Sequence, residues 1–136
     1  MKIRNIITTS SLILAGAGGA HAEPYLFVCQ SCGAGTYSDG TLEECAKCPA
    51  GKYSQGNATS CSTCPAGQYS NKGANQTGST GCNQCGAGTY SSAGSSSCTP
   101  CPAGQYQPNA GQSSCISCPK GKTTTTTGSR SVSDCK

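Results

Sequence analysis

The stretch Cys64-Pro65-Ala66-Gly67-Gln68-Tyr69 is repeated letter for letter as Cys101-Pro102-Ala103-Gly104-Gln105-Tyr106. Near copies stand at 48–53 (CPAGKY), 32–37 (CGAGTY) and 85–90 (CGAGTY). Working outward, every copy continues into a Gly/Ser/Asn-rich stretch and then C-x-x-C. The chain therefore divides into six units, 32–47, 48–63, 64–84, 85–100, 101–117 and 118–136, each opening on the second cysteine of a pair. Self-similarity at so short a period implies an array of stacked supersecondary units.

Each letter has a local reason. Pro49, Pro65, Pro102 and Pro119 restrict the backbone after a cysteine and disfavour helix. A glycine three residues after the cysteine suits a tight turn. Tyr37, Tyr53, Tyr69, Tyr90 and Tyr106 sit five residues after it, each expected to pack its ring over a neighbouring disulfide with the hydroxyl in water. The last unit carries Thr123 there and reads as a degenerate cap. Thr123–Thr127 reads as an extended terminal strand or linker.

Composition fixes what holds such units together. The first 22 residues have the form of a secretory signal: Lys2 and Arg4, an apolar stretch around Leu12–Leu14, and an Ala20-His21-Ala22 cleavage site. Nothing in the sequence is long and apolar enough for a membrane span. Leu26-Phe27-Val28-Cys29 has the outline of a lipobox, but Val28 is too large for the position before the cysteine. Residues 23–136 hold only Leu26, Val28, Leu42, Ile116 and Val132 as large aliphatics, with one Phe and no Trp. At roughly 1.5–3 kcal/mol per buried side chain, these cannot offset the ordering entropy of the chain. The thirteen cysteines must do so, as in exported disulfide scaffolds.

Those cysteines form six C-x-x-C pairs, beginning at Cys29, and a final single Cys135. A repeat should pair alike in every unit, which admits two simple schemes. The favoured one closes each unit: Cys32–Cys45, Cys48–Cys61, Cys64–Cys82, Cys85–Cys98, Cys101–Cys115 and Cys118–Cys135, with Cys29 unpaired. The other closes each C-x-x-C on itself. Loops of fifteen residues gain about 3 kcal/mol from closure, whereas four-residue loops gain less and are strained. A third scheme crosses adjacent pairs, beginning with Cys29–Cys45 and Cys32–Cys48. Under every scheme one thiol is odd, and it is either free, mixed with a small thiol, or a bridge to another chain, which through Cys29 would give a disulfide-linked dimer.

The pattern C-P-A-G-x-Y-S, a glycine turn and C-x-x-C resembles the ephrin-receptor-like cysteine-rich repeat. It is more distantly similar to tumour-necrosis-factor-receptor cysteine-rich modules. The resemblance covers residues 29–135 and implies an extracellular, elongated, non-catalytic array serving as spacer or contact module. It implies no signalling, because no kinase or ligand-binding domain accompanies the repeats.

Other chemistries find little support. The only histidine, His21, lies in the signal, so no Cys–His nucleophile can form in residues 23–136. Glu43 and Glu44 are adjacent and read as a solvated edge rather than an acid/base pair. Without Lys2 and Arg4, seven of the nine basic residues face five acids, and no basic stripe marks a nucleic-acid site. The spacing Cys29/Cys32/Cys45/Cys48 approximates a zinc ribbon, which export to an oxidising compartment disfavours. Redox C-x-x-C chemistry wants a βαβ setting that is missing. Asn57 and Asn75 are glycosylation acceptors by motif.

The expected protein is a small disulfide-rich array of tandem irregular β-hairpins forming an elongated rod. It comprises a signal at 1–22, a lead at 23–31 and repeats at 32–136. It is secreted, at the cell surface or periplasmic, without catalytic, cofactor or metal residues, and its partner is an unknown extracellular protein or glycan. Thiolate zinc binding and a secreted effector or inhibitor are the alternatives.

Overall fold

The computed structural model describes Cys29 and residues 31–136; the expected signal at 1–22 and nearly all of the lead lie outside the described residues. Five antiparallel strand pairs follow one another. Strand β1 (Thr36–Tyr37) pairs with β2 (Ala46–Lys47), β3 (Lys52–Tyr53) with β4 (Ser62–Thr63), and β5 (Gln68–Ser70) with β6 (Cys82–Gln84). Strand β7 (Thr89–Tyr90) pairs with β8 (Thr99–Pro100), and β9 (Gln105–Tyr106) with β10 (Ile116–Ser117). Each pair belongs to one unit, so the fold is a small disulfide-rich succession of hairpins with little other regular structure.

The repeated phrase builds the first strand of each pair. In Pro49-Ala50-Gly51-Lys52 the Lys52 N–H donates to the Pro49 carbonyl at 3.1 Å, and Gly51 has φ of +81°. That is the type II turn, with proline at its first position, Ala50 at the second and glycine, at positive φ, at the third. The turn delivers Lys52 and Tyr53 as an extended strand. The chain then returns beside it, and the Cys64 N–H closes onto the Gly51 carbonyl at 3.0 Å.

Unit six departs from this pattern and from the expected extended Thr run. It has no strand pair; Thr123 and Lys136 instead exchange two backbone hydrogen bonds, of 3.1 and 2.8 Å. Residues 125–128 bend, and Thr124 is buried. The Thr124 hydroxyl accepts the Gly104 N–H at 2.8 Å, so docking on unit five outweighs the β preference of the run. A single turn of 3₁₀ helix, Val132–Asp134, ends the unit, capped by Ser131 and by Asp134 reaching back to the Ser131 N–H.

Neighbouring units are tied by a recurring set of backbone hydrogen bonds. The turn residue of each later unit donates to the opening cysteine of the unit before it: Asn57 to Cys32, Gly78 to Cys48, Gly94 to Cys64, Gly111 to Cys85 and Gly128 to Cys101, all at 2.7–2.8 Å. The residue after each turn accepts in return, as Ser95 does from the Ser70 N–H at 3.1 Å. Contact also reaches two units onward. A Cβ on Gly35, Gly51, Gly67 or Gly88 would fall on the carbonyl oxygen of Gly78, Gly94, Gly111 or Gly128 respectively. The stack therefore packs backbone on backbone, with no room for even a methyl group.

No large aliphatic side chain is buried among the described residues. The buried apolar positions are Cys32, Cys48, Cys64, Cys85, Cys101 and Cys135, while Ile116 and Val132 are exposed. The residue after the repeat tyrosine, or after Thr123 in unit six, is buried: Ser38, Ser54, Ser70, Ser91, Gln107 and Thr124. All buried side-chain polar atoms among the described residues have hydrogen-bond partners, as burial of polar groups requires.

Candidate functional site

The cysteines follow the hairpins. Bridges join Cys48 to Cys61, Cys64 to Cys82, Cys85 to Cys98, Cys101 to Cys115 and Cys118 to Cys135, with Cα–Cα separations of 5.7–5.8 Å. In units two to five strand pairing sets these separations: each bridge ties the cysteine before the turn to the one preceding the returning strand or opening it, while in unit six the paired backbones of Thr123 and Lys136 serve instead. The second cysteine of each C-x-x-C opens the next unit, so the bridges lie one behind another along the stack.

Unit one is different. Cys45 is bridged to Cys32, with Cα atoms 5.7 Å apart, and the Cys29 sulfur lies against the same bridge, its Cα 6.0 Å from that of Cys45. A sulfur forms one disulfide, so three sulfurs share one bond and one of them is always left over. The Cys29 and Cys32 Sγ atoms are 3.8 Å apart, and all three sulfurs lie within 4.8 Å of one another. The Cys29 sulfur thus stands beside the unit-one bridge rather than away from it. The Cys29 N–H donates to the Leu42 carbonyl at 2.8 Å, which lays the lead against the unit's own loop and brings its sulfur to the bridge. The contact with Cys45 is the first half of the crossed pairing scheme. Its second half is not made, because Cys48 pairs with Cys61.

In reduced form three thiolates so placed have the softness and number to hold zinc or copper(I). Among the described residues no other group of three or more His, Cys, Asp and Glu side chains converges in this way. Glu43 and Glu44 are exposed. Asp39, fully exposed in the first turn, accepts the Thr41 hydroxyl and backbone N–H, which hold its carboxyl below the ordinary aspartate range. An open polar groove on unit six is lined by Thr125, Thr127, Arg130, Asp134 and Lys136 among others.

The repeat tyrosines are half-buried rather than enclosed. Their backbones lie opposite Ala46, Ser62, Asn83, Thr99 and Ile116, one residue past the returning cysteine of each unit. Asn57 and Asn75 are both exposed and are the described non-glycine residues with positive φ, of +50° and +60°. Asn57 occupies the turn position that glycine fills in later units, and its side-chain oxygen accepts the Ser31 hydroxyl at 2.9 Å.

Two sets of residues escaped sequence reasoning. The serine after four of the five repeat tyrosines recurs visibly, yet a serine in a Ser-rich chain gives no sign of burial. The turn glycines Gly78, Gly94 and Gly111 each stand four residues before the returning cysteine, whereas Gly128 does not, and a fixed spacing in a Gly-rich loop gives no sign of what the glycine meets. Their common role is visible only in the stacking.

Disulfide-closed hairpins that stack through backbone contacts, with cysteine for a core, define an extracellular-type cysteine-rich repeat array. The family model described as tyrosine-protein kinase ephrin type A/B receptor-like matches residues 35–72 and 88–135. The chain belongs to this ephrin-receptor-like family. The unmatched interval contains Gly73–Gly81, most of the long loop that makes unit three the longest of the first five. No curated protein matches the chain.

Proposed function

We propose that this protein is exported by its 1–22 segment and acts outside the cytosol as a non-enzymatic structural or protein-interaction module. The observation that carries this reading is the replacement of a hydrophobic core by buried cystines in every unit. Such a fold depends on an oxidising compartment, which fits secretion, the cell surface or the periplasm. Backbone groups and the buried serines are occupied in docking one unit on the next, so partner contact falls to exposed side chains along the stack. The half-buried tyrosines and the loops carrying Asn57 and Asn75 are the surfaces best suited to it, with an extracellular protein or glycan as partner. No helix among the described residues is long and apolar enough to cross a membrane.

Among the described residues, the one place where reduced thiolates could gather on a metal is the sulfurs of Cys29, Cys32 and Cys45. The other ten cysteines are in bridges, which leaves no general thiolate store.

Expression of the full chain in a secreting host tests the reading. The exported product should begin at Glu23, carry six disulfides by intact mass with and without reduction, and bind no stoichiometric zinc. Unprocessed cytosolic protein with many free thiols would overturn export and scaffold together. Fluorescently labelled protein should then bind the surface of the producing cells saturably, in competition with unlabelled protein. Absence of saturable binding there and to isolated extracellular matrix would overturn the interaction role.

A further inference from the structure

Unit one holds three sulfurs where every other unit uses two. In each later C-x-x-C the first cysteine is engaged in the bridge of the preceding unit, as Cys45 is beside Cys48 and Cys61 beside Cys64. Cys29 has the same place relative to Cys32, but no cysteine precedes it in the sequence. Its Cα lies 6.0 Å from that of Cys45, and the Cα of Cys32 lies 5.7 Å away. Both separations fall inside the span a disulfide bridges without moving the backbone. Cys45 therefore has two competent partners on one side, and their sulfurs are 3.8 Å from each other.

We propose that unit one is a thiol–disulfide exchange site, in which Cys29 and Cys32 alternate as the partner of Cys45. The Cys29 thiolate attacks the Cys45 sulfur and forms the Cys29–Cys45 bond. The Cys32–Cys45 bond breaks, and its electron pair leaves on Cys32, which takes up a proton from water. Cys29 gave up its proton to become the nucleophile, so one thiol and one disulfide stand on each side of the step. It needs neither oxidant nor reductant. Attack requires thiolate, so exchange quickens as pH rises toward the ordinary thiol pKa of about 8.5.

The two isomers differ in what they offer to other molecules. With Cys32 bridged, the odd thiol is Cys29, half-buried at the surface of the unit. With Cys29 bridged, the odd thiol is Cys32, only 4 % exposed and under the docked turn of unit two, where the Asn57 N–H bonds to its carbonyl. The exchange thus presents a reactive thiol in one state and withdraws it in the other, without changing any other bridge. Cross-linking to a second copy of the chain, or capture of an external low-molecular-weight disulfide as a mixed disulfide, then draws on the first state alone.

The test uses the full exported chain, held at pH 8 and then quenched in acid to freeze exchange. It is unfolded, its free thiol is labelled with a maleimide at mildly acid pH, and it is reduced and labelled with a second reagent. Cleavage after Phe27 and Tyr37 gives a peptide holding both Cys29 and Cys32, in which fragment masses locate the first label. The expected result is first label divided between Cys29 and Cys32 in the unfolded sample. Without denaturant at pH 8, label should accumulate on Cys29 alone until each chain carries one. First label confined to either cysteine after unfolding would overturn the proposal, as would first label on all three.

Two variants each keep one bridge in unit one. Cys29→Ser and Cys32→Ser should both lack a labelled thiol, and peptide mapping should find Cys32–Cys45 in the first and Cys29–Cys45 in the second. Labelled Cys29 and Cys45 in Cys32→Ser would show that Cys29 cannot serve as the alternative partner, and the proposal would fall.

Discussion

At the scale of single residues, the repeat glycine answers to two demands that a turn signature alone does not separate. Gly67 and Gly121 both follow proline by two positions and have φ of +82° and +80°. A side chain at either meets the same left-handed backbone cost, about 1–2 kcal/mol. Only Gly67 also faces another backbone, because a Cβ there would fall on the Gly111 carbonyl oxygen, whereas a Cβ on Gly121 meets nothing within 4 Å. Gly67→Ala should therefore cost roughly 1–3 kcal/mol more than Gly121→Ala, the usual range for overpacking. Guanidinium unfolding without reductant measures both, and equal shifts in midpoint would refute the close approach. The need for a tight turn was legible in the sequence from Pro-x-Gly. The approach of a carbonyl more than forty residues away was not, because nothing local to Gly67 encodes the depth of the stack.

At the scale of the hairpin, the buried hydroxyl matters more than the strand. Two-residue strands contribute few ladder bonds, and an isolated hairpin is marginal in water. Ser70 ends β5 with no exposed surface, and its Oγ accepts the Gly51 N–H of the preceding unit at 3.1 Å. No backbone carbonyl serves that donor. Ser70→Ala should orphan it and cost about 1–3 kcal/mol, with faster amide exchange at Gly51. Ser62→Ala, exposed in β4, should stay within about 0.5 kcal/mol. Similar exchange at Gly51 in both variants would show that the hydroxyl is dispensable. The hairpin array itself was legible because cysteine spacing, proline and glycine act locally along the chain. The buried serines were not, since a hydroxyl becomes a core group only when a neighbouring unit supplies its partner. The three-sulfur cluster was half legible: thirteen cysteines guarantee an odd thiol, but only the Cys29–Leu42 hydrogen bond lays that sulfur against a bridge.

At the scale of the molecule, the contacts make the stack one-dimensional with a range of two units. Arrays coupled to neighbours alone lose structure locally when one unit fails, and here the loss should spread further. Replacing Cys85 and Cys98 together by Ala opens the unit-four loop and removes about 3 kcal/mol of closure entropy. Unit four receives the Gly67 N–H at the Ser91 carbonyl and donates Gly94 N–H to Cys64, and it faces Gly51 of unit two across Gly94. On its other side it accepts Gly111 N–H at Cys85, and its Gly88 faces Gly128 of unit six. Unit one has no contact of either kind with it. Amide exchange in the double variant, without reductant, should therefore accelerate at Gly67, Gly94 and Gly111 and, one junction further, at Gly78 and Gly128, while Asn57 and Ser38, whose N–H groups join units one and two, remain protected. Acceleration confined to 85–100 would mean that each unit is held by its own bridge and that docking adds little. Equal acceleration along the whole chain would mean that the six units unfold as one body. Loss confined to the junctions among units three to five would mean coupling to neighbours alone. Loss that also reaches Gly78 and Gly128, with units one and two retained at their junction, is the outcome that a two-unit range demands, and it would place the stabilising weight in the backbone contacts between units as much as in the disulfides within them.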